Sequence, residues 1–170
     1  MTPIDFFDTT SFWSIWYWIL TIIAWSMTAH WTLGVPFDMI VNANKKGGIF
    51  AEQCDALIEI NIARYIYYFD LAGAYILALV AFVLAAVATL GFYLGIEAFM
   101  ALFMLILPLN IVMGFTVRFA YRARREGWQG VELRKKIRWR RFWNQLIGVL
   151  AITATSIMAV IFFLSTIGYL

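Results

Sequence analysis

Residues 118–141 read RFAYRARREGWQGVELRKKIRWRR. This basic segment holds ten of the thirteen Lys and Arg residues of the chain, and only Glu126 and Glu132 oppose them. Long apolar runs flank it, and the whole chain is 64% hydrophobic, 18% aromatic and 14% charged. Because soluble domains carry about 25% charged residues, the composition indicates an integral membrane protein. We therefore expect no nucleic-acid partner, although a basic segment in a soluble protein would suggest one.

Four segments are long and apolar enough to cross a hydrocarbon core of about 30 Å as helices. They cover residues 12–33, 71–92, 96–115 and 145–167. The chain, 1–170, is therefore predicted to be a single integral membrane domain. The predicted fold class is all-α: a four-span transmembrane helical bundle with an extended second helix and an amphipathic basic cytoplasmic segment.

The charges predict the orientation of this bundle. Four spans place residues 34–70 and 118–144 on one side and both termini on the other. All thirteen Lys and Arg residues fall on the first side, whereas the other side carries only Asp5, Asp8 and Glu97. The positive-inside rule then makes the basic side cytoplasmic. We expect a multi-pass protein of the bacterial cytoplasmic (inner) membrane with both termini periplasmic.

Small residues follow one face of the predicted second span at steps of four, three, four and three. They are Ala74, Ala78, Ala81, Ala85 and Ala88. Such faces let helix backbones approach closely in lipid. We interpret this alanine stripe as the main packing seam within the chain, with a face for another subunit as the alternative. The fourth span has a second small-residue face, formed by Gly148, Ala151, Thr155 and Ala159.

The basic segment is predicted to bind anionic phospholipids, because cations and aromatic rings together at a membrane surface favour such lipids. From Val131 to Trp143 its pattern is that of an amphipathic helix. Docking to an acidic face of a partner protein is the alternative. The candidate lipid-binding residues are Arg122, Arg124, Arg125, Arg134, Lys135, Lys136, Arg138, Arg140 and Arg141.

His30 is the single histidine and the candidate cofactor ligand, because an imidazole within a membrane can bind a haem or bacteriochlorophyll metal. No second ligand is evident in the sequence, so the competing interpretation is an interfacial histidine bonded to a carbonyl or a lipid headgroup. We expect no cofactor, and no metal site either, since the carboxylates of residues 38–70 lack binding-motif spacing. They fit a solvated helix face.

The sequence contains no nucleophile paired with a base, no metal-ligand cluster and no phosphate loop, so we expect that the protein is not an enzyme. The function predicted from dense aromatics and small-residue faces is a non-catalytic accessory subunit of a larger photosynthetic or respiratory inner-membrane complex. Other membrane subunits are then its expected partners. Two alternatives are a small transporter or channel that uses a helix break at Pro108–Asn110, and a pigment or haem binder through His30.

Residues 12–41 carry a resemblance to a known family. The motifs are Trp16-Tyr17-Trp18, Trp25-Ser26, His30-Trp31 and Leu33-Gly34-Val35-Pro36-Phe37-Asp38-Met39. The chain resembles small alphaproteobacterial membrane proteins that are often described as components of an iron–sulfur assembly (Suf) complex, and the similarity extends through residues 91–97. The resemblance implies a membrane protein but no functional residues. Cys54, the only cysteine, could not hold a cluster alone.

Overall fold

The computed structural model describes residues 14–166, apart from the side chains of Trp31 and Thr166. Within that range the chain forms five helices and one two-stranded hairpin. They are α1 (Ile15–His30), β1 (Trp31–Thr32), β2 (Val35–Pro36), α2 (Phe37–Lys46), α3 (Gly48–Ala88), α4 (Glu97–Glu126) and α5 (Gly130–Thr166). The predicted helical fold class is confirmed in this coarse sense. The hairpin and α2 are elements that the sequence did not predict.

Three helical stretches among the described residues are long and apolar enough to cross a membrane: Gly48–Tyr93, Glu97–Glu126 and Gly130–Ser165. They correspond to the predicted second, third and fourth spans, and α3 is continuous over 41 residues, as the predicted extended second helix requires. The predicted first span begins outside the described residues. Its described helix, α1, has 16 residues and ends at His30 rather than at residue 33. The count of four spans stays a prediction.

The hairpin after α1 accounts for that earlier helix end. Its two turn residues, Leu33 (φ 60°) and Gly34 (φ 71°), are both left-handed, as a type I′ turn requires. A leucine pays about 1 kcal/mol for this conformation, but its side chain is only 2% exposed. Burial therefore offsets the backbone cost. The Asn61 amide of α3 donates a hydrogen bond of 3.4 Å to the Gly34 carbonyl and fixes the hairpin against the bundle.

The larger hydrophobic core lies at one end of the bundle, which we call the polar end because it is formed by residues 34–70 and 118–144. It joins the hairpin and α2 to the first half of α3, the end of α4 and the start of α5. Its buried residues are Leu33, Val35, Ile40, Ala43, Cys54, Ile58, Ile62, Ala120, Ala123, Leu133 and Ile137. The predicted cytoplasmic segments are thus packed together rather than lying separately on a surface.

The small-residue face of α5 packs against α1. Gly148 lies directly under Trp25, since a Cβ atom added to Gly148 would be 2.8 Å from the Trp25 ring. Thr155 and Ala159 are buried, and Tyr17 of α1 packs against the cluster that contains Ala159. This face is an internal seam of the chain.

Within residues 14–166 the alanine stripe of α3 forms no internal seam, which is evidence against its interpretation as the main packing seam of the chain. Ala74, Ala78, Ala81 and Ala85 are exposed, and Ala88 is half-buried. The buried residues of α3 are Cys54, Ile58 and Ile62 at the polar end and Val87 near the other end. The physical reason is the rotation of α3: its half-buried residues between the ends, which include Ile76, Val80 and Leu84, lie on the opposite face, so the stripe points away from the described helices.

At Pro108, where the sequence predicts a helix break, α4 is assigned as one helix from Glu97 to Glu126. Proline has no N–H to give to the preceding turn. Two residues further on, the Asn110 amide donates a 2.9 Å hydrogen bond to the Ile106 carbonyl of the same helix. A polar side chain is thereby satisfied within α4. The transporter alternative stays a prediction.

Candidate functional site

The exposed aromatic residues of the polar end lie where the helices pass from basic to apolar sequence. Contacts between helices bring these regions together: the Tyr121 hydroxyl donates to an Asp70 carboxylate oxygen at 2.5 Å, and Arg140 Nη2 donates to the Val112 carbonyl at 3.1 Å. Aromatic side chains of this kind settle at membrane–water interfaces. We call the exposed rings of this zone the aromatic belt; they are Tyr67, Tyr68, Tyr121, Trp139, Phe142 and Trp143.

Arg134 is buried inside the polar end, with a side chain that is 5% exposed. Its Nη1 contacts both carboxylate oxygens of Asp55 at 2.5 Å, and its Nε donates to Asn44 Oδ1 at 3.0 Å. These three residues join α5, α3 and α2. The prediction that Arg134 binds lipid is wrong, because its charge is satisfied within the protein. Asp55 likewise leaves the solvated helix face to which the sequence assigned it.

Two further cations of α5 contact the bundle. Arg140 is half-buried; besides its bond to the Val112 carbonyl, its guanidinium lies 5.2 Å from the centre of the Phe115 ring. The Arg141 guanidinium lies 3.6 Å from the centre of the Phe37 ring. Both contacts hold the start of α5 against neighbouring helices, so these two side chains have protein partners.

Trp128 lies in the turn between α4 and α5, and its ring contacts one cation from each of these helices. The Lys136 ammonium lies 3.7 Å from the centre of a Trp128 ring, and the Arg122 guanidinium lies at 5.7 Å. Each cation also pairs with an acid on its own helix: Lys136 with Glu132 at 3.3 Å, and Arg122 with Glu126 at 2.6 Å. The Arg122 guanidinium holds the pKa of the Glu126 carboxyl below its ordinary value. Both cations are engaged locally.

The contacts divide the nine predicted lipid-binding residues into two classes. Five have an ion pair, a hydrogen bond or a ring contact within the chain. The other four are exposed and have no such partner within residues 14–166; they are Arg124, Arg125, Lys135 and Arg138. The structure thus narrows the set of cations whose charge is available to a ligand.

An open cleft of about 800 Å³ lies between α3 and the α4–α5 turn. Asp55 and Glu59 form one wall, Trp128 forms another, and Arg124 lies at the same opening. The floor is apolar. Ile62, on that floor, precedes the predicted second span by nine residues, about 13 Å along the helix. Along α3 the cleft therefore lies farther from the predicted second span than Tyr67 and Tyr68 of the aromatic belt do.

His30 is the last residue of α1 and is exposed. In the described part of the chain no group of three or more His, Cys, Asp or Glu residues could hold a metal ion. The haem or bacteriochlorophyll site at His30 stays a prediction.

Cys54 provides a chemical reporter of the polar-end core. Its side chain is 0% exposed, and burial raises the pKa of its thiol, with the Asp55 carboxylate adding to the rise. Both effects suppress the reactive thiolate. We expect maleimide to react with Cys54 at least about 100-fold more slowly in the folded protein than in denaturant, because reaction requires opening of the core. Equal rates in the two states, measured by mass spectrometry, would contradict the burial.

Comparisons of this chain with protein-family models, with curated proteins and with solved structures find no match.

Proposed function

We propose that the chain is a non-catalytic accessory subunit of a larger complex in a bacterial cytoplasmic (inner) membrane, photosynthetic or respiratory. In this proposal four helices cross the membrane, the polar end is cytoplasmic and both termini are periplasmic. The charge distribution supports the orientation, because every Lys and Arg residue belongs to the polar end and the positive-inside rule places such loops in the cytoplasm.

The main observation that supports this proposal is the face of α3 that no described helix covers. In the most apolar stretch of α3 only 6% of the residues are buried, compared with 22% in α4 and 17% in α5. Four alanines of the stripe are among the exposed residues. A lipid-exposed helix gains nothing from small residues, whereas a second helix can approach them closely and gain van der Waals contact. The stripe is therefore the proposed surface for a partner subunit.

The proposal also includes a surface that binds anionic lipid, which we call the collar. The four partner-free cations and the aromatic belt lie at the same end of the bundle. Cations near an anionic leaflet contribute about 1 kcal/mol each to membrane attraction. The collar would fix the depth at which α3 presents its stripe.

The experiment is extraction from native membranes in mild detergent, followed by native gels and mass spectrometry. We expect wild-type protein to migrate in a larger assembly. The double variant Ala78→Ile/Ala81→Ile should lose the partner by about tenfold or more, because added bulk in a close-packed interface costs about 1–3 kcal/mol. Both positions are exposed, so the isolated chain should still fold.

Leu79→Phe is the matched control. Leu79 is also exposed but lies about 140° around the helix from Ala74 at 3.6 residues per turn, so this variant should keep the partner. A wild-type protein that extracts as a lone monomer would refute the proposal. An equal loss in the double variant and the control would remove the stripe as the docking surface.

A further inference from the structure

We propose that the outward face of α5 between Lys135 and Trp143 is a binding site for an anionic phospholipid, with two cations for the headgroup phosphate and three rings for the glycerol and upper acyl chains. The site rests on the proposed insertion of the bundle into a membrane and names the ligand of its collar. The site contains two cations, whereas the sequence indicates nine candidate lipid-binding cations.

Lys135 and Arg138 are the cations of α5 that have no partner within the described chain. Arg134, Lys136, Arg140 and Arg141 each contact a partner within the protein. Lys135 and Arg138 are exposed and have no ion pair, hydrogen bond or ring contact among residues 14–166. They are three residues apart, so their side chains leave α5 on the same face. Two adjacent cations without a counter-charge complement a phosphodiester anion.

The three rings form one exposed cluster immediately after these cations. Trp139 and Phe142 stack with centroids 5.4 Å apart, and Trp143 meets them edge-on at 6.1 and 6.0 Å. Their exposed fractions are 62%, 50% and 44%. An aromatic cluster this exposed is unfavourable in water, whereas at the bilayer interface the same rings are favoured.

The order of residues along this face identifies the occupant as lipid. Lys135, Arg138, Trp139 and Phe142 follow helical spacing, and the same outward face continues with Leu146 and Val149, which are 36% and 61% exposed. The face thus changes from cationic to aromatic to aliphatic in one direction. A bilayer changes from anionic headgroup to interface to hydrocarbon in the same order. An acidic protein partner would match the cations but not the aliphatic continuation.

The test uses the full-length protein in nanodiscs that contain phosphatidylglycerol and phosphatidylcholine in equal amounts, with native mass spectrometry to count the lipids retained. We expect preferential retention of phosphatidylglycerol. Lys135→Gln/Arg138→Gln should reduce that preference by about 30-fold, the effect of two cations at about 1 kcal/mol each. Since both side chains are exposed, the variant should incorporate into nanodiscs as well as wild type.

Arg124→Gln/Arg125→Gln is the control, because it removes two equally exposed, partner-free cations that lack the ring cluster. Its lipid preference should fall by clearly less than that of the Lys135→Gln/Arg138→Gln variant, because no cluster of exposed rings follows these two charges along their helix. An unchanged preference in the Lys135/Arg138 variant would overturn the site, as would an equal loss in the control. So would retained lipid preference combined with loss of an acidic partner in native membranes. The nanodisc outcomes do not depend on the accessory-subunit proposal, because there the chain is tested without other subunits.

Discussion

Replacing Arg134 by alanine is expected to lower the free energy of unfolding by about 3 kcal/mol, the usual cost of removing one partner from a buried ion pair. The Asp55 carboxylate would lose its counter-charge and Asn44 would lose a donor. Since these residues belong to three helices, the loss should also open the polar-end core. Denaturant unfolding in detergent measures the first effect, and faster maleimide labelling of Cys54 measures the second.

Two further variants distinguish the effect of breaking the buried ion pair from the effect of removing one positive charge. Arg138→Ala removes an exposed cation from the next turn of α5 and should change stability by less than about 0.5 kcal/mol. Arg134→Met/Asp55→Leu removes both charges and should recover most of the lost stability, because apolar residues of similar volume often replace a buried pair without cost. An Arg134→Ala variant as stable as Arg138→Ala would show that the buried pair does not hold these helices together.

Gly91→Ala should be the other strongly destabilising change. Gly91 lies in a π-helical turn, Thr89–Tyr93, that continues α3 toward α4. A Cβ atom there would lie 2.8 Å from the backbone nitrogen of Met100 and 3.0 Å from the carbonyl carbon of Phe99. Backbone atoms of a packed helix cannot rotate away as a side chain can, so the helices must separate. We expect a loss of about 2–3 kcal/mol, at the upper end of overpacking costs.

Gly114→Ala is the matched control in the same membrane-spanning part of the bundle. Nothing lies within 4 Å of a Cβ atom at this position in α4. Alanine also favours a helix over glycine by about 1 kcal/mol. Thermal unfolding in one detergent should therefore show Gly91→Ala less stable than wild type and Gly114→Ala at least as stable. A Gly91→Ala protein with unchanged stability would contradict the close approach of the two helices.

The two small-residue faces show how far sequence alone could predict the packing. The face of α5 and the alanine stripe of α3 have similar spacing, yet Thr155 of α5 is 2% exposed whereas Ala78 of α3 is exposed. Spacing indicates that a backbone can be approached closely but does not say which helix approaches it. That choice depends on the arrangement of α1 in the bundle, which is a property of the tertiary structure.

The position of Arg134 could be predicted only in part from periodicity. Residues 133, 137, 144 and 148 are all buried, and Arg134 and Arg141 lie beside this inner face of α5 at helical spacing. Leu133 and Ile137 mark this inner face in the sequence, but Trp139 and Phe142 are equally apolar on the outer face that carries Lys135 and Arg138. Apolar spacing alone therefore does not separate the inward cations from the outward ones. The total of ten basic residues in this segment concealed that distinction.

The turn at Leu33 could not have been predicted in the same way. Leucine rarely adopts φ near 60°, so local propensity favours continuing the helix to residue 33. The hairpin forms because Leu33 and Val35 fill the polar-end core, a contact with residues far away in the sequence. Tertiary burial decided the local conformation here.

The orientation and depth of the bundle underlie every proposal, and single-cysteine labelling along α5 tests them most directly. In a Cys54→Ser background, one cysteine replaces Val131, Lys135, Leu146 or Val149, all of which are exposed on the isolated chain. Cells with a permeabilised outer membrane are treated with an impermeant maleimide before and after the inner membrane is opened. We predict labelling at positions 131 and 135 only after opening, and no labelling at 146 and 149 in either state. Labelling of position 131 in closed cells would contradict the orientation, and full labelling of 146 and 149 would contradict membrane insertion itself.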